Sequence, residues 1–182
     1  MVQPVLDRFL DLVYPRDCIN CGNLVEDNRF DYISRDCVDE LYRVEQPWCA
    51  TCGFPFYGMM ESDRNCPHCV ELDPVFEKGR TLFLYRALGR TLIHELKYHR
   101  AHYLLGDFKR IIQEAKDLGA FLADATLVPV PLHHRKLRER GFNQSLLLAR
   151  CVAEVFGKLP VRKLLERTID TATQTRLGRE SE

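Results

Sequence analysis

Hydrophobic spacing changes character several times along the chain. "MVQPVLDRFLDLVY" (1–14) carries Asp7, Arg8 and Asp11 inside an apolar pattern. That predicts an amphipathic helix and argues against a signal peptide. From there to about residue 79 the apolar content is thin and cysteine pairs punctuate the chain. "ELDPVFEKGR" reads as a linker, with Pro74 and Gly79 as breakers. "TLFLY" (81–85) is aromatic and β-rich, which predicts a strand. Leu88, Leu92, Ile93 and Leu96 then share one helical face. Leu104, Leu105, Phe108, Ile111, Ile112, Ala115 and Leu118 continue at helical spacing, with Gly119 as the stop. "ATLVPVP" (125–131) has the continuous apolar character of a buried parallel strand. Asn143 is a fitting N-cap for a helix running to Phe156, ahead of Gly157. "PVRKLLERT" (160–168) predicts a further strand. Strand, helix and strand joined by short loops make a βαβ unit, so the second half is expected to be α/β.

The 182 residues and the 46% hydrophobic fraction suit a globular protein of one ordinary domain, or a medium domain plus a small one. No run of 18 apolar residues offers a membrane span, and the default expectation is a cytoplasmic location. A net charge of zero hides an asymmetry. Residues 1–79 hold 15 acidic and 7 basic side chains, whereas residues 80–182 hold 11 and 19. Parts of −8 and +8 suggest two units, the second better suited to an anion. A chain that neutralises itself across an interdomain contact is the competing explanation.

Seven of the eight cysteines lie before residue 70. Cys18 and Cys21 stand in "CINCG", Cys49 and Cys52 in "CATCG", Cys66 and Cys69 in "CPHC". The first two words are 31 residues apart, and Ser34 and Cys37 in "SRDC" fall where a fourth pair is due. The chain therefore reads as two tandem C-x-x-C-G…C-x-x-C units with one ligand changed to serine. Two such knuckles place four thiolates around one tetrahedral metal, which suits zinc. Cys49, Cys52, Cys66 and Cys69 make a complete set. Cys18, Cys21 and Cys37 make an incomplete second set. Either Asp36, Asp17 or a water completes it, or the ribbon is held by packing alone. Disulfides fit poorly without signs of secretion. Redox chemistry fits poorly without a surrounding βαβ pattern. The expected role is structural. His68 lies inside a filled shell and reads as a bystander, and Cys151 as a small buried hydrophobe.

"VPLHHRKLRERGFNQ" (130–144) sits between the predicted strand and the predicted helix. Ligands of open α/β sheets bind at that edge, and helix N-termini favour anions. Arg135, Lys136, Arg138 and Arg140 supply charge, and Gly141 lets backbone approach a phosphate. An anion site and a solvated loop both remain open. His133 and His134 read as exposed polar loop residues.

Taken together, "CINCG", "CATCGFP", "CPHC", "LKYH", "VPVP", "RERGFNQ" followed by "LLLA", and "RT…TATQTRL" (Arg167 to Leu177) resemble the ComF family throughout the chain. The resemblance implies a small double zinc ribbon over residues 1–78, preceded by the N-terminal helix. It implies a partial type I phosphoribosyltransferase-like α/β domain over 79–182. Arg135, Arg138, Arg140 and Gly141 would belong to a pyrophosphate-contacting loop, and Thr173 and Gln174 to a flexible closing loop. The family continues to an Asp-Asp…Thr-Thr-Gly phosphate loop that these 182 residues do not contain. The expectation is a C-terminally truncated chain that does not bind phosphoribosyl pyrophosphate as a competent transferase would. Phosphoribosyl pyrophosphate with magnesium is then expected only of a full-length relative.

The function implied is handling or uptake of single-stranded DNA in competence or DNA utilisation, alongside other competence proteins. A phosphoribosyltransferase with an unknown acceptor is the enzymatic alternative. A zinc-ribbon module for protein interaction is the third.

Overall fold

Two residues between cysteines leave room for one tight turn, and a following glycine supplies the left-handed residue that closes it. The computed structural model describes residues 15–26, 29–57 and 64–171 and contains that turn twice. Gly22, at φ 74°, donates its N–H to the Cys18 carbonyl at 2.8 Å. Gly53, at φ 70°, donates to the Cys49 carbonyl at 3.0 Å. Single antiparallel bridges flank the turns, Asp17 with Leu24 and Trp48 with Pro55. Each ribbon closes on a short helix, α1 (Arg35–Val38) or α2 (Pro67–Leu72). The helix expected over residues 1–14 lies outside the described residues.

A helical region follows. In α3 (Ala87–Tyr98), Leu88, Leu92 and Leu96 are fully buried at i, i+4 spacing, as the periodicity predicts. Gly89 lies so close to the preceding segment that a Cβ there would stand 2.4 Å from the Leu84 carbonyl oxygen. The strand expected at Thr81–Tyr85 is only a bridge between Phe83 and Arg43. The chain turns at Leu84, whose carbonyl accepts from the Arg86 N–H at 2.9 Å, and enters α3 at once. The helix expected from Tyr103 to Gly119 comes in three pieces: a 3₁₀ turn (His102–Leu104), α4 (Leu105–Glu114) and α5 (Leu118–Phe121). Ala115 breaks the run with ψ 82°, and Gly119 lies within α5 instead of stopping the helix.

Asp107 stands in the first turn of α4 and is fully buried. Its two carboxylate oxygens accept from the backbone N–H groups of Asp31 and Tyr32, at 2.7 and 2.8 Å. Burial pushes the Asp107 carboxyl above the usual carboxylate range, against the pull of those two donors. Arg110 pairs with Asp107 at 2.9 Å and with Asp31 at 2.6 Å, and Arg16 pairs with Asp31 at 2.7 Å. Arg43 reaches Glu114 at 2.6 Å. These contacts make the first ribbon and the helices one body. The chain divides into compact units Met1–Leu122 and Ala123–Glu182.

The second unit contains α6 (His134–Arg140) and α7 (Gln144–Val155). The N-cap Asn143 accepts from the Ser145 N–H at 2.9 Å, and Gly157 follows the helix at φ 86°. The expected strands at 125–131 and 160–168 meet only at one parallel bridge, Leu127 with Val161. The Leu127 N–H donates to the Pro160 carbonyl, and the Arg162 N–H to the Leu127 carbonyl. Among the described residues no longer strand forms, because neither segment has a second neighbour to extend a ladder. In place of the expected α/β sheet, the described residues show helices and isolated bridges. The basic segment expected as a loop is helical over His134–Arg140. Arg, Lys, Leu and Glu are good helix formers, and Glu139 pairs with Lys136 at 3.0 Å and Arg135 at 3.5 Å.

Replacing Asp107 with alanine is expected to lower stability by about 2–4 kcal/mol, because two part-buried N–H donors lose their charged acceptor. Asp107→Asn, which keeps one acceptor oxygen, is expected to cost less. Denaturant titration of both variants checks the order.

Candidate metal centres

The sulfur atoms of Cys49, Cys52, Cys66 and Cys69 all lie within 4.8 Å of one another. Those of Cys52 and Cys66 are 3.7 Å apart. A tetrahedral zinc with Zn–S bonds of about 2.3 Å places its sulfurs about 3.8 Å apart, so the donor set fits. The knuckle turn brings up the first pair. The start of α2 brings up the second, with the Cys66 N–H donating to Cys49 Sγ at 3.2 Å. Burial raises the Cys49 thiol, yet the N–H groups of Cys52, Cys66 and Thr51 outweigh it and bring it down to about 6. Burial pushes Cys69 up to about 12, and its three neighbouring cysteines add to the rise. Four thiolates this close cannot all ionise without a cation among them. A bound zinc would supply that charge and hold the ribbon closed.

The first set is built the same way. Cys18, Cys21 and Cys37 bring their sulfurs within 4.8 Å of one another, and among the described residues no carboxylate joins them. Asp17 and Asp36, expected as possible completing ligands, are therefore outside the cluster. Ser34 is inside it: its Oγ lies 3.5 Å from Cys21 Sγ, and its N–H donates to Cys18 Sγ at 3.2 Å. Burial raises the Cys18 thiol, but the Ser34 hydroxyl and nearby N–H groups prevail and lower it to about 7. Asn20 donates to Cys37 Sγ at 3.5 Å and to Glu40 at 2.9 Å, and accepts from the Thr91 hydroxyl of α3. His68 is exposed and outside either cluster, as expected. Cys151 is buried within α7, also as expected.

Sequence spacing did not single out a third group, His94, Glu95 and His99 at the exposed end of α3. Glu95 pairs with His99 at 2.8 Å, the i, i+4 relation being the only trace of it in the sequence.

The anion-site candidates are partly brought together. Arg135 and Arg138 are exposed on α6, and Gly141 closes that helix at φ 83°. Arg135 lies 3.8 Å from Asp170, and Arg140 donates to the Gln144 side chain at 2.5 Å. His133 is buried, contrary to the exposed position expected of it. Its ring meets His134 at 4.0 Å, and its Nδ1 lies 3.6 Å from Asp170. Thr173 and Gln174 lie outside the described residues.

Residues 9–70 match the double zinc ribbon domain family. The DNA utilization protein YhgH of Escherichia coli K12 is 29% identical over 137 residues, covering 72% of this chain and 59% of that protein. Its Salmonella typhimurium counterpart is 30% identical over 135 residues, covering 71% and 58%. Competence protein F of Haemophilus influenzae is 23% identical over 165 residues, covering 83% and 72%. The chain carries a double zinc ribbon domain and is a distant homologue of these DNA utilization and competence proteins. The match spans somewhat under two thirds of the YhgH proteins' length. No solved structure gives a significant match. No helix among the described residues is long and apolar enough to cross a membrane.

Metal loading is expected to weaken as pH falls. Cys49 and Cys18 sit below their ordinary value of 9.0, at about 6 and about 7, so their thiolates persist to lower pH than in the unfolded chain. Their contribution is present above the unfolded value and is lost as pH falls through about 7 and then about 6. A chelator competition run from pH 8 to pH 5 checks this: zinc retention should fall as pH drops through about 7 and then about 6.

Proposed function

We propose that the chain is a ComF-type cytoplasmic protein that handles single-stranded DNA in uptake or utilisation, with zinc as the staple of both ribbons. The observation that carries this reading is the similarity to Competence protein F, which runs from the ribbons into the basic second part. Charge supports it: 19 basic residues against 11 acidic ones over residues 80–182 favour a polyanion. Arg138 is exposed on α6 and has no ion-pair partner among the described residues. Other competence proteins are the natural partners on this reading.

A phosphoribosyltransferase-like α/β domain over residues 79–182 is part of the proposal. A cleft of about 460 Å³ there sets Arg150, Lys163 and Arg167 beside Glu166 and several leucines, and of the four candidate residues only Gly141 lines it. Pro131, His134, Gly141, Arg150, Lys163 and Arg167 are among its lining residues. A transferase would bind phosphoribosyl pyrophosphate and magnesium at such a place, with Arg135, Arg138, Arg140 and Gly141 near the pyrophosphate and Thr173 and Gln174 on the closing loop. A zinc-ribbon module that binds a protein partner remains the reading if nucleic acid does not bind.

Binding of labelled oligothymidylate to the zinc-loaded chain tests the proposal. Affinity should fall steeply with salt. Arg138→Ala should flatten the logarithmic salt slope by about 0.7 if Arg138 meets one phosphate. Absent or salt-insensitive binding would overturn the nucleic-acid reading.

A further inference from the structure

The two ribbons are the same object built twice, which allows Ser34 to be compared atom by atom with its counterpart. The Cys18 N–H donates to the Asn23 carbonyl at 2.7 Å, and the Cys49 N–H to the Phe54 carbonyl at 2.8 Å. The Val25 N–H reaches the Arg16 carbonyl as the Phe56 N–H reaches that of Pro47. Ser34 caps α1 at φ −68°, ψ 157°, and Cys66 caps α2 at φ −70°, ψ 158°. Both donate their backbone N–H to the first thiol of their own set at 3.2 Å. Ser34 therefore occupies the third ligand position.

Its hydroxyl behaves accordingly. A serine at an N-cap ordinarily accepts from an N–H of the first helical turn. Ser34 makes no such side-chain bond. It is buried, and its Oγ is turned toward the sulfurs, 3.5 Å from Cys21. In a tetrahedral zinc site with bonds of about 2.3 Å to sulfur and 2.1 Å to oxygen, the sulfur–oxygen edge is about 3.6 Å. The 3.7 Å between Cys52 and Cys66 fits the all-sulfur edge equally well.

We propose that Ser34 Oγ is a direct ligand in a three-thiolate, one-oxygen zinc site, and that this first site is the exchangeable one of the two. A hydroxyl oxygen is a weaker partner than thiolate for a borderline-soft cation. Cys21 is exposed and leaves the site's rim open to a competing chelator, whereas Cys49, Cys66 and Cys69 are buried and Cys52 is partly covered. The first ribbon is then a metal-responsive element beside a permanently stapled one. The inference rests on the ribbons binding zinc but not on the DNA reading.

The test uses the full chain, with metal content by elemental analysis, release into a chromogenic chelator, and the absorption spectrum after cobalt replaces zinc. The expected result is two metals per chain, released in a fast and a slow phase of equal size. Ser34→Cys should merge the fast phase into the slow one and intensify the sulfur-to-cobalt charge-transfer band. Cys66→Ser should make the second site fast as well, so a single substitution in either ribbon moves it toward the other. Ser34→Ala should speed release further and shift the cobalt spectrum. One metal in the native chain with two in Ser34→Cys would overturn the proposal. So would equal release rates for both native metals, or a Ser34→Ala chain that matches the native one in rate and spectrum. Failure to bind any metal would instead sink the zinc-ribbon reading itself.

Discussion

In the second ribbon, sulfur takes the place of a hydrophobic core. Among the described residues its buried cluster consists of Cys49, Cys66 and Cys69, with Cys52 and Phe56 packed against it. A segment with so little apolar area to hide cannot offset the entropy of ordering its loops by burial alone. Four thiols drawn together against their own tendency to stay protonated, with Cys69 pushed up to about 12, make a place where a divalent cation gains more than any side chain could. The turn, the bridge and α2 are all consequences of converging those four atoms. The close approach of Gly53 and Gly79, where a Cβ on either would come within 3 Å of a backbone oxygen of the facing segment, belongs to the same convergence.

The first ribbon answers a different balance. Phe30, Ile33 and Leu41 are buried there in addition to Cys18 and Cys37. Asp107 holds the backbone at Asp31 and Tyr32, and the ring of Tyr103 meets that of Tyr32 at 4.4 Å. Asn20 bridges Cys37 to Thr91 of α3. This ribbon thus leans on the helices, and its metal cluster is one support among several.

Much of this was legible where the device is local. A C-x-x-C-G word contains its whole turn, so the repeat at residues 18 and 49 predicted both knuckles. Asn143 and Gly157 likewise bracket α7 because caps act within a few residues. Asp107 was not legible: among Leu104, Phe108 and Ile111 a lone aspartate looks like the polar side of a helix, and its partners lie 75 and 76 residues earlier. The basic segment is a helix and not a loop because its charges are spaced to pair, Arg135 and Lys136 with Glu139, which a count of charges does not reveal. The strands at 81–85, 125–131 and 160–168 depend on partners that a local pattern does not contain, and each reduces to a single bridge.

The two ribbons together explain where a ligand could be lost. Removing one thiolate from the second would weaken the cysteine cluster that forms its core among the described residues. Removing one from the first leaves Ile33, Phe30, the Asp107 contacts and the Asn20 bridge in place, so the fold tolerates an oxygen at position 34. That asymmetry also sets what such a substitution can do. A weaker site in a ribbon anchored from outside can lose its metal without unfolding the chain, and the segment next to Asp31 and Tyr32 is then the part that feels the change. In the second ribbon, where the cysteines themselves make up the buried cluster, loss of the metal would register as loss of local structure.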